Sequence, residues 1–115
     1  MKAFVYYNLH RKMWSVKALE GECKGKVVAH RRDVVLHNPV AKVSEAGRKR
    51  VLAERKKNVH AGLIGEWRDL NILMAEGDEI TYNPYKYSSF VYKDDETPFT
   101  GASVALMSDR KVHVL

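Results

Sequence analysis

The chain is poor in cysteine and proline and has no long apolar run, and each shortage excludes a class of protein. Its one cysteine, Cys23, cannot form an internal disulfide, and zinc binding through paired cysteines is excluded for the same reason. No apolar run approaches the roughly 20 residues that cross a membrane as a helix, so we expect no membrane partner. Residues 1–8 are too short and too polar for a signal peptide. Together these features predict a protein of the reducing cytoplasm.

The chain also lacks the sequence motifs that carry common chemistry. It has no Gly-rich phosphate loop, no nucleophile elbow and no Cys–His pair in an activating context. Its five histidines have no spacing typical of metal ligands, so we predict neither a metal nor a cofactor. They are His10, His30, His37, His60 and His113. A binding protein is therefore favoured over an enzyme.

What the chain does contain is enough apolar sequence for one folded domain. Its 115 residues are 45% hydrophobic, which predicts a single domain over residues 1–115 with its own core. Short runs rich in Val, Tyr, Phe and Trp alternate with polar turns, which is typical of β-strands. We predict an α+β fold, mostly antiparallel, in which seven to nine short strands form a curled sheet or partly open barrel. Ten segments are candidates for these seven to nine strands, at about 3–7, 13–18, 26–30, 33–37, 59–67, 72–74, 78–82, 88–92, 103–107 and 111–115, of which 72–74 is the shortest.

One helix is predicted, over about residues 45–57. Ser44 is a plausible N-cap, and Glu45 would lie in the first turn, where the helix dipole favours a negative charge. Pro39 is expected to end the preceding strand. Cations at 55–57 would lie in the last turn, where the dipole favours positive charge.

This helix is the most basic part of the chain. Residues 24–57 hold eleven Lys or Arg against three Asp or Glu, whereas residues 66–96 hold three against eight. A basic surface attracts phosphates or acidic proteins, and an acidic region on the same small domain argues against indiscriminate duplex binding. We therefore predict selective contact with nucleic acid through the helix cations. A solvated helix face is the alternative explanation of this charge. The six cations are Arg48, Lys49, Arg50, Arg55, Lys56 and Lys57.

A tyrosine-rich loop over residues 82–90 is the second unusual feature. Asn83 and Pro84 favour a defined turn, from which Tyr85 and Tyr87 would project. A tyrosine ring can stack on a base, and a basic helix beside an aromatic loop is typical of proteins that bind single-stranded nucleic acid or RNA. The alternative is that these rings cover the rim of the core.

A catalytic role is conceivable for His60 alone. A metal-independent ribonuclease needs a proton carrier and a cation that stabilises the phosphate. His60 would supply the first, Arg55 or Lys56 the second, and Tyr85 or Tyr87 would hold the base. The alternative is a histidine that is hydrogen-bonded where the helix meets the next strand.

Three segments resemble small uncharacterised proteins of tailed phages and prophages. They are YNLHRKMWSV at 7–16, RKKNVHA at 55–61 and YNPYKYSSFV at 82–91. The resemblance implies expression in a bacterial host during infection, and it carries over no catalytic or binding residue. It leaves open a second function, that of an inhibitor or adaptor of a host protein. The leading prediction is a small intracellular protein that binds nucleic acid, and the ribonuclease is the third possibility.

Overall fold

The strands of the protein form one unclosed antiparallel sheet. The computed structural model describes residues 1–69 and 75–115, and nine strands occur in them. In space the strands follow the order β3-β2-β1-β5-β4-β8-β9-β6-β7, so β3 and β7 are the two edges. The strands are β1 Lys2–Asn8, β2 Met13–Ala18, β3 Val27–Arg31, β4 Val34–Val43, β5 Ala61–Arg68, β6 Glu79–Thr81, β7 Val91–Tyr92, β8 Val104–Leu106 and β9 Val112–Val114.

The inner face of the curled sheet carries the core. Because side chains alternate along a strand, residues in register across strands share a face. Val5 lies opposite both Val16 and Leu63, and all three are buried. Leu36 of β4 lies opposite Val104 of β8, in the middle of the strand order, and both are buried. The sheet therefore curls around one continuous apolar cluster.

Strand β4 is longer than the sequence predicts. Pro39 was expected to end it, but that prediction is wrong, because β4 continues to Val43 and pairs with β5 on both sides of the proline. The register shifts between His37 and Val40, where Asn38 has a φ of 48°. A register shift of this kind accommodates a proline within a sheet, because the proline nitrogen, which has no hydrogen, is not required to donate a hydrogen bond to the neighbouring strand.

The helix α1 spans Glu45–Glu54 and is shorter than the predicted 45–57. Ser44 caps its first turn as expected: the Ser44 hydroxyl accepts a hydrogen bond from the Gly47 backbone N–H at 3.2 Å. Arg55 adopts a left-handed conformation, with a φ of 55°, and ends the helix. The last helical turn contains no cation, so the prediction that residues 55–57 form that turn is wrong: Arg55 is the C-cap, and residues 56 and 57 lie beyond the helix.

The predicted α+β class and the unclosed, mostly antiparallel sheet are confirmed. The predicted strands at 3–7 and 13–18 pair as the hairpin β1–β2, and those at 103–107 and 111–115 pair as the hairpin β8–β9, as their short polar connections favour. The predicted strand at 72–74 lies outside the described residues. In the described part of the chain, no helix is long and apolar enough to cross a membrane.

Candidate functional site

A groove of about 550 Å³ opens between the end of α1, the start of β5 and the tyrosine loop. We call it the Arg55 groove. Its size lies within the range of pockets that bind small ligands. It is lined by Tyr7, Leu9, Val51, Arg55, Lys57, Asn58, Val59, His60, Ala61, Thr81, Tyr82, Asn83, Pro84, Tyr85 and Arg110. None of these residues is acidic.

Three cations reach the groove from two distant parts of the chain. Arg55 and Lys57 lie in the segment that follows α1, where the left-handed conformation of Arg55 turns the backbone away from the helix axis. Arg110 lies in the β8–β9 turn with a φ of 72°, and its guanidinium carbon is 4.5 Å from the centre of the Tyr7 ring. This cation–π contact holds Arg110 against the β1–β2 hairpin. The three positive charges therefore line one groove.

A chain of hydrogen bonds forms one wall of the groove. His60 Nδ1 lies 3.0 Å from Asn58 Oδ1 and 3.3 Å from the Asn58 backbone oxygen. A carbonyl oxygen only accepts, so Nδ1 carries the hydrogen and Nε2 accepts one from the Tyr82 hydroxyl, 2.7 Å away. The Tyr82 ring also packs on Phe90, with ring centres 5.3 Å apart. Burial raises the pKa of Tyr82, which keeps the phenol protonated.

This chain of bonds limits what His60 can do chemically. Both of its ring nitrogens have partners, so a substrate hydroxyl would have to displace Tyr82 before Nε2 could act as a base. The bonding matches the alternative predicted for His60, a histidine held where the helix meets the next strand. Of its proposed cationic partners, Arg55 lines the groove and Lys56 does not.

Tyr85 extends from a turn that Asn83 fixes. The Asn83 side-chain oxygen accepts a hydrogen bond from the Tyr85 N–H at 2.9 Å, and the Asn83 backbone oxygen accepts one from the Tyr87 N–H at 2.8 Å. The Tyr85 side chain is 57% exposed and lines the groove. An exposed ring on a rigid turn is well suited to stack on a flat partner, because little conformational entropy is lost on binding.

The other predicted site residues do not line the groove. Arg48 is half-buried and donates from Nε to the Tyr87 backbone oxygen at 3.2 Å, so it joins the helix to the loop. The Tyr87 hydroxyl donates to Glu96 at 2.6 Å, a bond that raises the pKa of Tyr87. Three further cations are exposed on surfaces outside the groove lining, namely Lys49, Arg50 and Lys56.

Acidic side chains gather at a different place. Asp78 and Glu79, at the start of β6, line a separate cavity of about 270 Å³ together with Asp94 and Asp95. Thr81, at the other end of β6, lines the Arg55 groove. Of these acidic residues, Glu79 also lines a neighbouring cavity of about 250 Å³ that shares Thr81, Tyr82 and Arg110 with the Arg55 groove. Its carboxylate is paired with Lys93 at 3.3 Å, which offsets its repulsion of an anionic ligand in the groove. Within residues 1–69 and 75–115, no group of three or more His, Cys, Asp or Glu is placed to hold a metal ion.

Sequence reasoning identified Arg55, Lys57 and Tyr85 but missed Arg110, Tyr82 and Tyr7 as groove residues. Arg110 lies in a turn 53 positions after Lys57, and its place beside the groove depends on long-range strand pairing. For Tyr82 the sequence holds one local indication of its position: it directly precedes the Asn83-Pro84 turn, which places it at the end of a strand.

The whole chain matches a known family. A family model described as the Mycobacterium phage L5 gene 82 protein matches residues 1–115. The gene 82 protein of Mycobacterium phage L5 is 42% identical to the chain over 118 aligned residues, which cover 97% of this chain and 94% of that protein. No solved structure matches the chain. The resemblance to small phage proteins is confirmed, and the chain belongs to the Mycobacterium phage L5 gene 82 protein family.

Proposed function

We propose that this phage protein binds single-stranded nucleic acid in the Arg55 groove, inside the infected host cell. One observation carries the proposal: Arg55, Lys57 and Arg110 line the same groove as Tyr85, and no carboxylate lines it. Cations beside an exposed aromatic ring are the two elements that single-strand binding requires, because phosphates need positive charge and bases stack on rings.

In this proposal the cations contact phosphates and Tyr85 stacks on a base. A duplex hides its bases inside the stack, so Tyr85 could contact them only in an unpaired strand. The Tyr82–His60–Asn58 hydrogen bonds keep the wall of the groove in place. Preorganisation of this kind favours affinity, since fewer side chains must be ordered when the ligand binds.

The test compares two triple variants that lose the same charge. Arg55→Ala/Lys57→Ala/Arg110→Ala empties the groove of its cations, whereas Lys49→Ala/Arg50→Ala/Lys56→Ala removes three exposed cations outside it. Fluorescence anisotropy with labelled single-stranded RNA and DNA measures Kd at several salt concentrations. We expect the groove variant to weaken binding about tenfold or more and to reduce the salt slope by about 2, because each phosphate contact on a single strand contributes about 0.7.

The control variant is expected to retain most of the affinity of the unmodified protein. Equal losses in the two variants would contradict a groove-specific site and indicate general attraction to a basic surface. If the unmodified protein binds neither RNA nor DNA at about 50 mM salt, the proposal fails. In that case a pull-down from nuclease-treated bacterial lysate is the next test. A host protein retained by the chain would support the inhibitor or adaptor function.

We expect bound RNA to remain intact, because the Tyr82 hydroxyl occupies His60 Nε2. The check is incubation of the protein with labelled RNA in EDTA, followed by gel analysis. Cleavage that disappears in His60→Ala would contradict this expectation and make His60 a general base or acid of a metal-independent ribonuclease. Cleavage that persists in that variant would remove His60 from the ribonuclease hypothesis.

A further inference from the structure

A second hollow, of about 340 Å³, lies on the outer face of the sheet. It is lined by Phe4, Lys17, Leu19, Lys42, Ser44, Val59, His60 and Ile64, and we call it the sheet-face hollow. Two of these residues, Val59 and His60, also line the Arg55 groove. The two depressions therefore adjoin at the start of β5, on either side of Val59 and His60.

The strand register places the hollow's side chains in rows. Phe4 lies opposite Lys17 on one side and opposite Ile64 on the other, and Ile64 lies opposite Val40 of β4. Lys42 lies opposite Gly62 in the neighbouring row. Cations thus stand on both sides of an apolar centre, on β2 and on β4.

Two aromatic rings lie on this face. Phe4 and Tyr6 are both half-exposed, and their rings stack with centres 5.6 Å apart and planes 29° apart. A Cβ atom at position 62 would lie only 2.8 Å from the Phe4 ring, so the glycine lets that ring lie over β5. Exposed aromatic rings on an antiparallel sheet are a known way to stack unpaired bases.

Charge on this face is complementary to an anionic strand. Lys17 and Lys42 line the hollow and no carboxylate does. Glu66, further along β5 on the same face, is paired with the Met1 ammonium group. Exposed apolar side chains continue the surface, since Val59 is 49% exposed and Val40 is 63% exposed. Apolar area flanked by cations fits bases and phosphates better than it fits a wholly apolar partner.

We propose that a single strand held in the Arg55 groove continues past Val59 and His60 onto the sheet-face hollow. Phe4 in the hollow and Tyr6 beside it stack on further bases, and Lys17 and Lys42 contact further phosphates. This inference rests on the proposed nucleic-acid binding and extends it from one groove to a longer track. Its consequence is that affinity rises with strand length until both depressions are filled.

The experiment uses the full chain with labelled oligouridylates of about four and about twelve nucleotides, which span the usual site sizes of single-strand binding folds. Lys17→Ala/Lys42→Ala removes the cations of the hollow, and Lys24→Ala/Lys26→Ala is a control of equal charge outside both depressions. Phe4→Leu/Tyr6→Leu removes the rings but keeps apolar cover over the sheet. Circular dichroism checks that each variant is folded.

We expect the unmodified protein to bind the twelve-mer more tightly than the four-mer. Loss of the two rings should weaken twelve-mer binding about tenfold, and the affinity for the four-mer should not change. The Lys17→Ala/Lys42→Ala variant should reduce the salt slope of twelve-mer binding by about 1.4, and the control should not.

Two results would overturn the track. In the first, the groove variant binds the twelve-mer more weakly but the sheet-face variants bind it normally. The binding site would then be the groove alone. A change of oligomeric state in the sheet-face variants, measured by sedimentation without nucleic acid, would instead assign the hollow to an interface between two copies. If the unmodified protein binds no oligonucleotide, the proposed function itself fails, and the track fails with it.

Discussion

Gly47 shows how a single missing side chain shapes the candidate site. A Cβ atom at this position would lie 2.5 Å from the Cβ of His60, so the glycine allows α1 to approach the start of β5. That approach brings the end of the helix to the groove. Helix propensity alone favours alanine over glycine by about 1 kcal/mol, so packing must outweigh propensity here.

We therefore expect Gly47→Ala to lower the free energy of unfolding by about 1–3 kcal/mol, the usual cost of overpacking. Urea denaturation followed by circular dichroism measures it. An increase in stability, as propensity predicts, would mean that the helix and His60 are free to move apart.

The second prediction at the residue scale concerns Tyr82, whose contribution to stability should depend on pH. Tyr82→Phe removes the hydroxyl that donates to His60 Nε2 and should cost about 1 kcal/mol at neutral pH. Because burial raises the pKa of Tyr82 above 10.0, the folded state favours the neutral phenol. Its stabilising effect is complete below the unfolded pKa and is lost as the pH rises through the higher folded pKa.

The stability difference between the unmodified protein and Tyr82→Phe should therefore shrink as the pH rises above about 10. Denaturation curves of both proteins across the alkaline range test it. Tyr87, whose pKa is also raised, titrates in both proteins and cancels in the comparison. A difference that stays constant through the alkaline range would argue against the burial of Tyr82.

At the scale of elements, the C-terminal end of α1 affects both the stability of the fold and the proposed binding site. Arg55 holds a left-handed conformation that costs most residues about 1–2 kcal/mol, and glycine is the usual residue there. Arg55→Gly should stabilise the fold by about 0.5–1 kcal/mol after the entropic cost of glycine is counted. It should also weaken nucleic-acid binding, since Arg55 lines the groove.

Arg55→Ala is the matched control for this prediction. It removes the same charge but keeps a Cβ, so binding should weaken to the same extent and stability should not rise. Thermal denaturation and anisotropy on the two variants test both effects. Unchanged binding in both would remove Arg55 from the proposed interface.

Elements defined by local sequence could be predicted, and those defined by long-range contacts could not. The β1–β2 hairpin and the Ser44 cap follow from neighbouring residues, so alternation and capping rules identify them. The helix end at Arg55 lacks the usual glycine signal, and β4 continues past Pro39 because β5 pairs with it on both sides. The local rules therefore misplaced both boundaries.

The same distinction applies to the candidate site. Arg55, Lys57 and Tyr85 stand out in composition, so they were predicted. Arg110 lies in the turn of the β8–β9 hairpin, which local sequence predicts, but it reaches the groove because β8 pairs with the distant strand β4, and no local pattern predicts that pairing. The sequence also gave no reason to distinguish Lys56 from Lys57, because they are adjacent and identical. In the structure, Lys57 lines the groove and Lys56 does not.

On the scale of the whole molecule, the sheet remains open and leaves β3 as an edge strand. Val27 and Val28 of β3 are exposed, and an exposed apolar edge can pair with the edge of another copy. Lys24, Lys26 and Arg32 flank this edge, and like charges on two approaching molecules repel each other. Salt screens that repulsion. We therefore expect association of copies through β3 to increase with ionic strength, which light scattering across a salt series would measure.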